Sequence, residues 1–306
     1  MPCRVVFIGA TPSGEKVLRY FLERSDVDVV LVNSYPIDSK ISRNINIAHS
    51  VDTFVYRCTD VNSLATKIAS QNPDFIFVSS WSFLLNPTIL QIPKKGVIGF
   101  HPSKLPLDRG RSVLAWQIAE GYVETALTMF YLDDSPDCGD IIGQKIIPIL
   151  PNDYIEDVLK KTDDVMVGMV ETYFPLLKNN CAPRIPQDSS DSTYRRLRTN
   201  KDSQIDWHRP AQNIYNHIRA ISHPYPGAQS SYQGHTVKIW RAEVLQYDNS
   251  PKGRPSYSVG QVIKNLPDNW YVVRCGKGLI KIKVAQNLNL NDVFSSDMPN
   301  IIHRQR

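Results

Sequence analysis

A histidine and an aspartate 36 residues apart are the side chains of this sequence best suited to chemistry. His101 directly follows the apolar run Gly96–Phe100 and opens the loop Pro102-Ser103-Lys104-Leu105-Pro106. Asp137 closes the turn-forming stretch Asp133-Asp134-Ser135-Pro136-Asp137. An imidazole exchanges protons near neutral pH, so His101 can serve as general acid or base. A carboxylate beside it can orient the ring and favour its protonated form. Each residue also has a plainer reading, His101 as a satisfied structural histidine and Asp137 as a turn former. The strand end before His101 and the polar loop after it favour the functional one. Around the histidine, Ser103 can hold the loop by hydrogen bonding, and Pro102 and Pro106 stiffen it. Gly110 permits a backbone shape other residues resist. Arg109 and Arg111 can bind a carboxylate or phosphate, or pair with surface acids.

The elements that must carry these residues alternate. Arg4–Gly9, Val27–Val32, Thr53–Tyr56, Asp74–Ser79 and Gly96–Phe100 are apolar strand-like runs. Helical spacing falls between them, over Ser13–Glu23 and through Ala65 and Ile68 behind a capping Asp60. A helix through Trp116 and a strand through Met129 follow His101, and Ile141–Leu150 is a further strand. A long helix capped by Asn152 or Asp153 runs to about Leu177. Such alternation predicts an α/β fold, a doubly wound, Rossmann-like and mostly parallel sheet. Ligands of such sheets bind beyond the carboxyl ends of the strands, which is where His101 lies. The turn Gly9-Ala10-Thr11-Pro12-Ser13-Gly14 lacks the spacing of a dinucleotide loop, and Pro12 removes an N–H that would hold phosphate. No nicotinamide cofactor is expected.

After Cys181-Ala182-Pro183 the chain turns polar, and residues 181–204 read as a linker with the basic cluster Tyr194-Arg195-Arg196-Leu197-Arg198. A helix over about Ala211–Ile221 precedes the turn His223-Pro224-Tyr225-Pro226-Gly227. Short strands at Val237–Trp240, Gln261–Ile263, Tyr271–Arg274 and Leu279–Val284 then suggest a small β-barrel. The expected domains are therefore 1–180, the linker, and 205–306.

Composition narrows the class. The 306 residues are 42% hydrophobic and 21% charged, as in an ordinary globular protein, with no apolar run of membrane-spanning length. Five scattered cysteines lack metal-ligand spacing and suit a reducing cytoplasm, so neither a metal nor a membrane is expected. From residue 201 onward, 14 Lys and Arg face 7 Asp and Glu. This basic third attracts phosphate or is simply a solvated surface.

His-x-Ser-x-Leu-Pro-x-x-Arg-Gly-Arg from His101 to Arg111, followed by Asp137-Cys138-Gly139-Asp140, resembles the folate-dependent formyltransferases. The resemblance implies N10-formyltetrahydrofolate as co-substrate and an OB-like C-terminal module. It assigns the catalytic histidine to His101 and its supporting aspartate to Asp137. It places the folate against Phe83, Leu84, Leu85, Arg111 and the loop Asp133, Asp134, Ser135, Pro136, Asp137, with Ser103, Arg109 and Gly110 as substrate or loop support. The implied acceptor is an amine on a nucleotide-linked sugar or on methionyl-tRNA. Arg111 and the stretch Arg195–Trp207 favour the sugar nucleotide, whereas the basic C-terminal third points to tRNA. The oligomeric state is left open, a homodimer among the alternatives. One position departs from the family: Gly99 stands where an asparagine side chain ordinarily stabilises the oxyanion. Either another donor replaces it (protonated His101 among the candidates), or turnover is slow, or the chain is a folate- or nucleotide-binding relative without activity.

Overall fold

The computed structural model describes residues 1–9, 11–36, 54–245 and 257–295. They form two compact units. The first comprises the described residues of Met1–Gly110, with Thr125–Ile147 and Leu159–Arg195. The second comprises Arg111–Glu124, Pro148–Val158 and the described residues of Arg196–Arg306.

In chain order the elements begin with β1 (Cys3–Gly9), α1 (Pro12–Leu22), β2 (Val27–Ser34) and β3 (Phe54–Arg57). Next come α2 (Ala65–Ser70), β4 (Phe75–Ser79), α3 (Pro87–Leu90), β5 (Gly96–His101) and the short β6 (Arg109–Gly110). Then follow α4 (Val113–Ala119), β7 (Glu124–Tyr131), β8 (Ile141–Pro148), α5 (Ile155–Lys178) and β9 (Tyr194–Arg195). The large sheet has the order β3-β2-β1-β4-β5-β7-β8. β1 to β5 run parallel within it, and β7 pairs antiparallel with β5, matching His101 to Thr128.

Alternation along the buried strands sends side chains to two layers. Val5, Phe7, Phe75 and Phe77 meet Val17, Leu18 and Phe21 of α1 and Met166, Val170 and Phe174 of α5 on one face. Val6, Ile8, Ile76 and Val78 meet Val61, Leu64 and Ile68 on the other. Burial on both faces explains why these strands read as continuous apolar runs.

Two helix starts differ from expectation. The helix behind Asp60 opens as a 3₁₀ turn, Val61–Leu64, with the Asp60 carboxylate accepting from the Asn62 N–H, and becomes α2 only at Ala65. α5 begins at Ile155, because Asp153 bonds backward to the Leu150 N–H while Asp157 accepts from the Tyr154 N–H at 2.9 Å. Thr53, expected to start the third strand, lies outside the described residues.

The second unit contains α4, α6 (Ala211–Ala220) and six strands: β10 (Ala228–Tyr232), β11 (His235–Ile239), β12 (Arg241–Leu245), β13 (Val262–Leu266), β14 (Trp270–Arg274) and β15 (Leu279–Lys283). β10 and β11 form a hairpin, and β12-β15-β14-β13 an antiparallel sheet. The mostly parallel sheet and the separate antiparallel C-terminal region are the expected α/β architecture. No helix among the described residues is long and apolar enough to cross a membrane.

Candidate active site

His101 is the last residue of β5 and is 5% exposed. Its Nε2 lies 2.8 Å from the Asp108 carbonyl oxygen. A carbonyl only accepts, so Nε2 carries a hydrogen and the proton exchanged by the ring is the one on Nδ1. Nδ1 faces Asp137 Oδ1 at 3.4 Å, a long contact that becomes an ion pair when the ring is protonated. The two residues singled out 36 positions apart are therefore side by side.

Asp137 adopts a left-handed backbone (φ 58°), which aspartate tolerates. Its Oδ2 accepts from the Gly110 N–H at 2.9 Å. Burial pushes this carboxyl upward, but the bond and charge of His101, the Gly110 N–H and the charge of Arg109 outweigh it, so the group sits below the usual carboxylate range. Gly110 is required twice over. Its φ is +99°, and a Cβ there would sit 2.3 Å from the Arg195 carbonyl oxygen, because β6 and β9 pair at this point.

The loop after His101 is tied to itself. The Ser103 hydroxyl donates to the Leu107 carbonyl at 2.6 Å, and the Thr128 hydroxyl donates to the Ser103 carbonyl at 2.6 Å. Asp108 is buried and paired with Arg195, Nε to Oδ1 at 2.6 Å, which fixes the carbonyl that anchors His101. Arg109 is buried as well. Its Nε and Nη2 donate to Gln187 Oε1 at 3.2 and 2.7 Å and its Nη1 to the Tyr194 hydroxyl at 3.0 Å, so its donors brace the loop. Asp133, Asp134, Ser135 and Pro136 are exposed on the turn that presents Asp137. Arg111 is exposed and belongs to the second unit.

Past β4, Trp81 stacks on Tyr35 with ring centres 4.2 Å apart, and Phe83 meets both rings edge-on. Phe83 and Leu84 are 45% and 70% exposed, while Leu85 packs on the core. The Trp81 Nε1, Ser34 Oγ and Thr11 Oγ1 atoms are buried and have no hydrogen-bond partner among the described residues. Exposed apolar side chains beside the unmatched Trp81 N–H suit a flat heterocycle. No cluster of three or more His, Cys, Asp or Glu that could hold a metal occurs among the described residues.

Gly99 lies in β5 opposite Phe130. A Cβ built there would meet the Leu132 Cδ1 at 2.1 Å, so a leucine methyl occupies the space an asparagine would need. Sequence reasoning missed Leu132, Asp108, Arg195 and Gln187. Among these only Arg195 carried a signal, as part of the basic cluster.

The histidine that ends β5 and the aspartate on the β7–β8 turn belong to the mostly parallel sheet, and an antiparallel C-terminal unit accompanies it. The family model described as "Formyl transferase" matches residues 4–171, and "Formyl transferase, C-terminal domain" matches residues 198–297. The chain belongs to the formyl transferase family and is an N-formyltransferase. It is 35% identical over 228 residues to a methionyl-tRNA formyltransferase of Synechococcus sp. (strain JA-3-3Ab), covering 74% of this chain and 70% of the relative. Its fold is similar to that of WlaRD, a sugar 3N-formyl transferase, with TM-score 0.67, 18% identity and coverage of 94% of this chain and all of the other. It is also similar to an N-formyltransferase from Helicobacter canadensis, with TM-score 0.68, 19% identity and coverage of 92% and 99%.

Proposed function

We propose that this chain transfers the formyl group of N10-formyltetrahydrofolate to the amine of a nucleotide-linked amino sugar. The observation that carries the chemistry is the His101–Asp137 pair at the carboxyl edge of the sheet, with Nε2 anchored and Nδ1 left to exchange its proton. The acceptor amine forms a bond to the formyl carbon as the bond from that carbon to N10 breaks. The amine gives up one proton and N10 gains one. His101 moves that proton at Nδ1, and Asp137 holds the ring while it is charged. Phe83 and Leu84, beside Tyr35 and Trp81, would hold the pterin, and they supply the apolar wall a flat ring requires.

The sugar-nucleotide acceptor is supported by the exposed Arg111 and by the similarity of fold along nearly the whole of WlaRD, a sugar 3N-formyl transferase, and of the Helicobacter canadensis N-formyltransferase. One of those was solved with dTDP and a formylated folate, the other with folinic acid and dTDP-3-aminofucose. Methionyl-tRNA is the second reading, favoured by the 35% identical relative.

The test is formyl transfer to a panel of amino-sugar nucleotides and to methionyl-tRNA, with His101→Ala as control. Transfer to a sugar nucleotide, abolished in the control, is the expected result. Transfer to tRNA alone overturns the acceptor, and tRNA binding would then fall steeply with rising salt, as contacts to several phosphates require. Binding of folate without any transfer would overturn the enzymatic assignment and leave a binding protein.

A further inference from the structure

Gln187 has a saturated carboxamide at the centre of the histidine–aspartate arrangement, although it lies in the polar stretch 181–204. Its Oε1 accepts from Arg109 Nη2 at 2.7 Å and Nε at 3.2 Å. Its Nε2 donates to the carbonyl oxygens of Asp137 at 2.9 Å and Gly139 at 2.8 Å. The amide's two hydrogens and its oxygen are thus all committed, and each commitment is to one of the two segments that build the site. Arg109 precedes Gly110, whose N–H holds the Asp137 carboxylate, and follows Asp108, whose carbonyl holds His101. Asp137 and Gly139 belong to the turn that brings the carboxylate to the ring.

We propose that Gln187 is a positioning residue for formyl transfer: it locks the Asp137 turn to the Asp108–Gly110 strand and so sets the separation of Asp137 from His101. The inference rests on the reading of these two residues as the acid–base pair. The lock matters because the contact it governs is already long, 3.4 Å, and Asp137 is held in a left-handed conformation. Apart from Gln187, Asp137 is held by the Gly110 N–H and the ring itself. A side chain that only filled space could not do this, because both carbonyl oxygens need a donor between them and the guanidinium needs an acceptor. Glutamate would satisfy Arg109 but set a second oxygen against two carbonyls.

Gln187→Met keeps the length and removes the hydrogen bonds, and Gln187→Glu keeps the Arg109 contact and inverts the other. Displacement of a catalytic group by about 1 Å can cost about 100-fold in rate. Both variants are expected to lose at least tenfold in kcat with KM for both substrates nearly unchanged. The acid limb of the rate profile should also move to higher pH, because His101 on β5 and Arg109 on β6, the charged groups bearing on Asp137, would hold its carboxylate less well. An independent readout needs no turnover: the ring ¹⁵N signals of His101, assigned by their loss in His101→Ala, are expected to move in Gln187→Met, because the Asp137 oxygen facing the ring is displaced. Parental kcat and parental pH profile in either folded variant would overturn the proposal, as would unmoved His101 ring signals. If the parental chain proves inactive while its His101 signals still move in Gln187→Met, the functional reading fails and the positional one stands.

Discussion

The space beside Gly99 makes a quantitative prediction. Gly99 is not among the glycines with a left-handed backbone, so nothing but room prevents a larger residue there. That room is taken by Leu132, whose Cδ1 would lie 2.1 Å from an added Cβ and must retreat by more than an ångström to reach ordinary contact. Leu132 packs against Leu105, Phe130 and Ile141, and its own N–H is bonded to the Val97 carbonyl at 2.8 Å, so only its side chain can give way. Gly99→Asn alone is therefore overpacked and should cost about 1–3 kcal/mol of stability. Leu132→Ala removes the obstructing methyls, so the double variant should recover part of that loss, a non-additivity expected of residues in contact. With space made, and with the reaction proposed above at His101, an asparagine carboxamide at position 99 is expected to supply a donor to the developing oxyanion. One such donor is worth about 2.7–4 kcal/mol, or about 10²–10³ in kcat. Thermal melts of both single variants and the double variant, with single-turnover formyl transfer at saturating folate and acceptor, read both halves. A double variant that melts cooperatively near the parental temperature yet transfers no faster would refute the reasoning, and would mean that another group, protonated His101 among them, already fills that role.

Other consequences are as direct. Because the Asp137 carboxyl is held below its ordinary 3.8, its contribution to stability is complete above the unfolded pKa and is lost as pH falls through the lower folded one. Asp137→Asn should flatten the acid end of a urea-denaturation series below about pH 4 as well as reduce turnover. Burial pushes the His217 ring from 6.5 down to about 4. The unfolded chain then binds the extra proton first, so on the order of 3 kcal/mol should be lost as pH falls from 6.5 to 4. His217→Gln, which can still donate to the Ser203 carbonyl, should remove that dependence in pH-resolved melts. Gly110→Ala should destabilise the fold and reduce kcat together, since the strained φ and the Arg195 carbonyl both oppose a methyl where the Asp137 bond is made. Arg195→Met leaves the buried Asp108 carboxylate without its guanidinium, at a cost of about 3 kcal/mol by chemical denaturation.

Much of the fold was legible because the sheet is buried on both faces. Its strands are nearly pure apolar runs, and the helices between them carry their own spacing and breakers. His101 was legible for the same reason, as the polar residue that closes the apolar run of β5. Asp137 stood out through its turn, although a turn former and a catalytic carboxylate look alike in sequence. The hairpin strand β10 and strand β12 were not seen, because Ala228–Tyr232 is largely small and polar and Arg241–Leu245 is mostly exposed. Nor was it visible that residues 111–124 belong with the C-terminal unit, since the chain passes between the units through strands and helices that carry no break.

The amino-acid sequence by itself determined the kind of elements, their order and the two titratable groups, since these follow from local periodicity and from residue type. Only the tertiary structure decided what holds those groups. The carbonyl fixing the His101 proton, the amide of Gln187 binding two loops, the Arg195 strand against Gly110 and the leucine filling the space at Gly99 all join segments distant in the chain. A hydrogen-bond partner 50 residues away leaves no local pattern, because the chain between them can vary freely so long as the ends still meet.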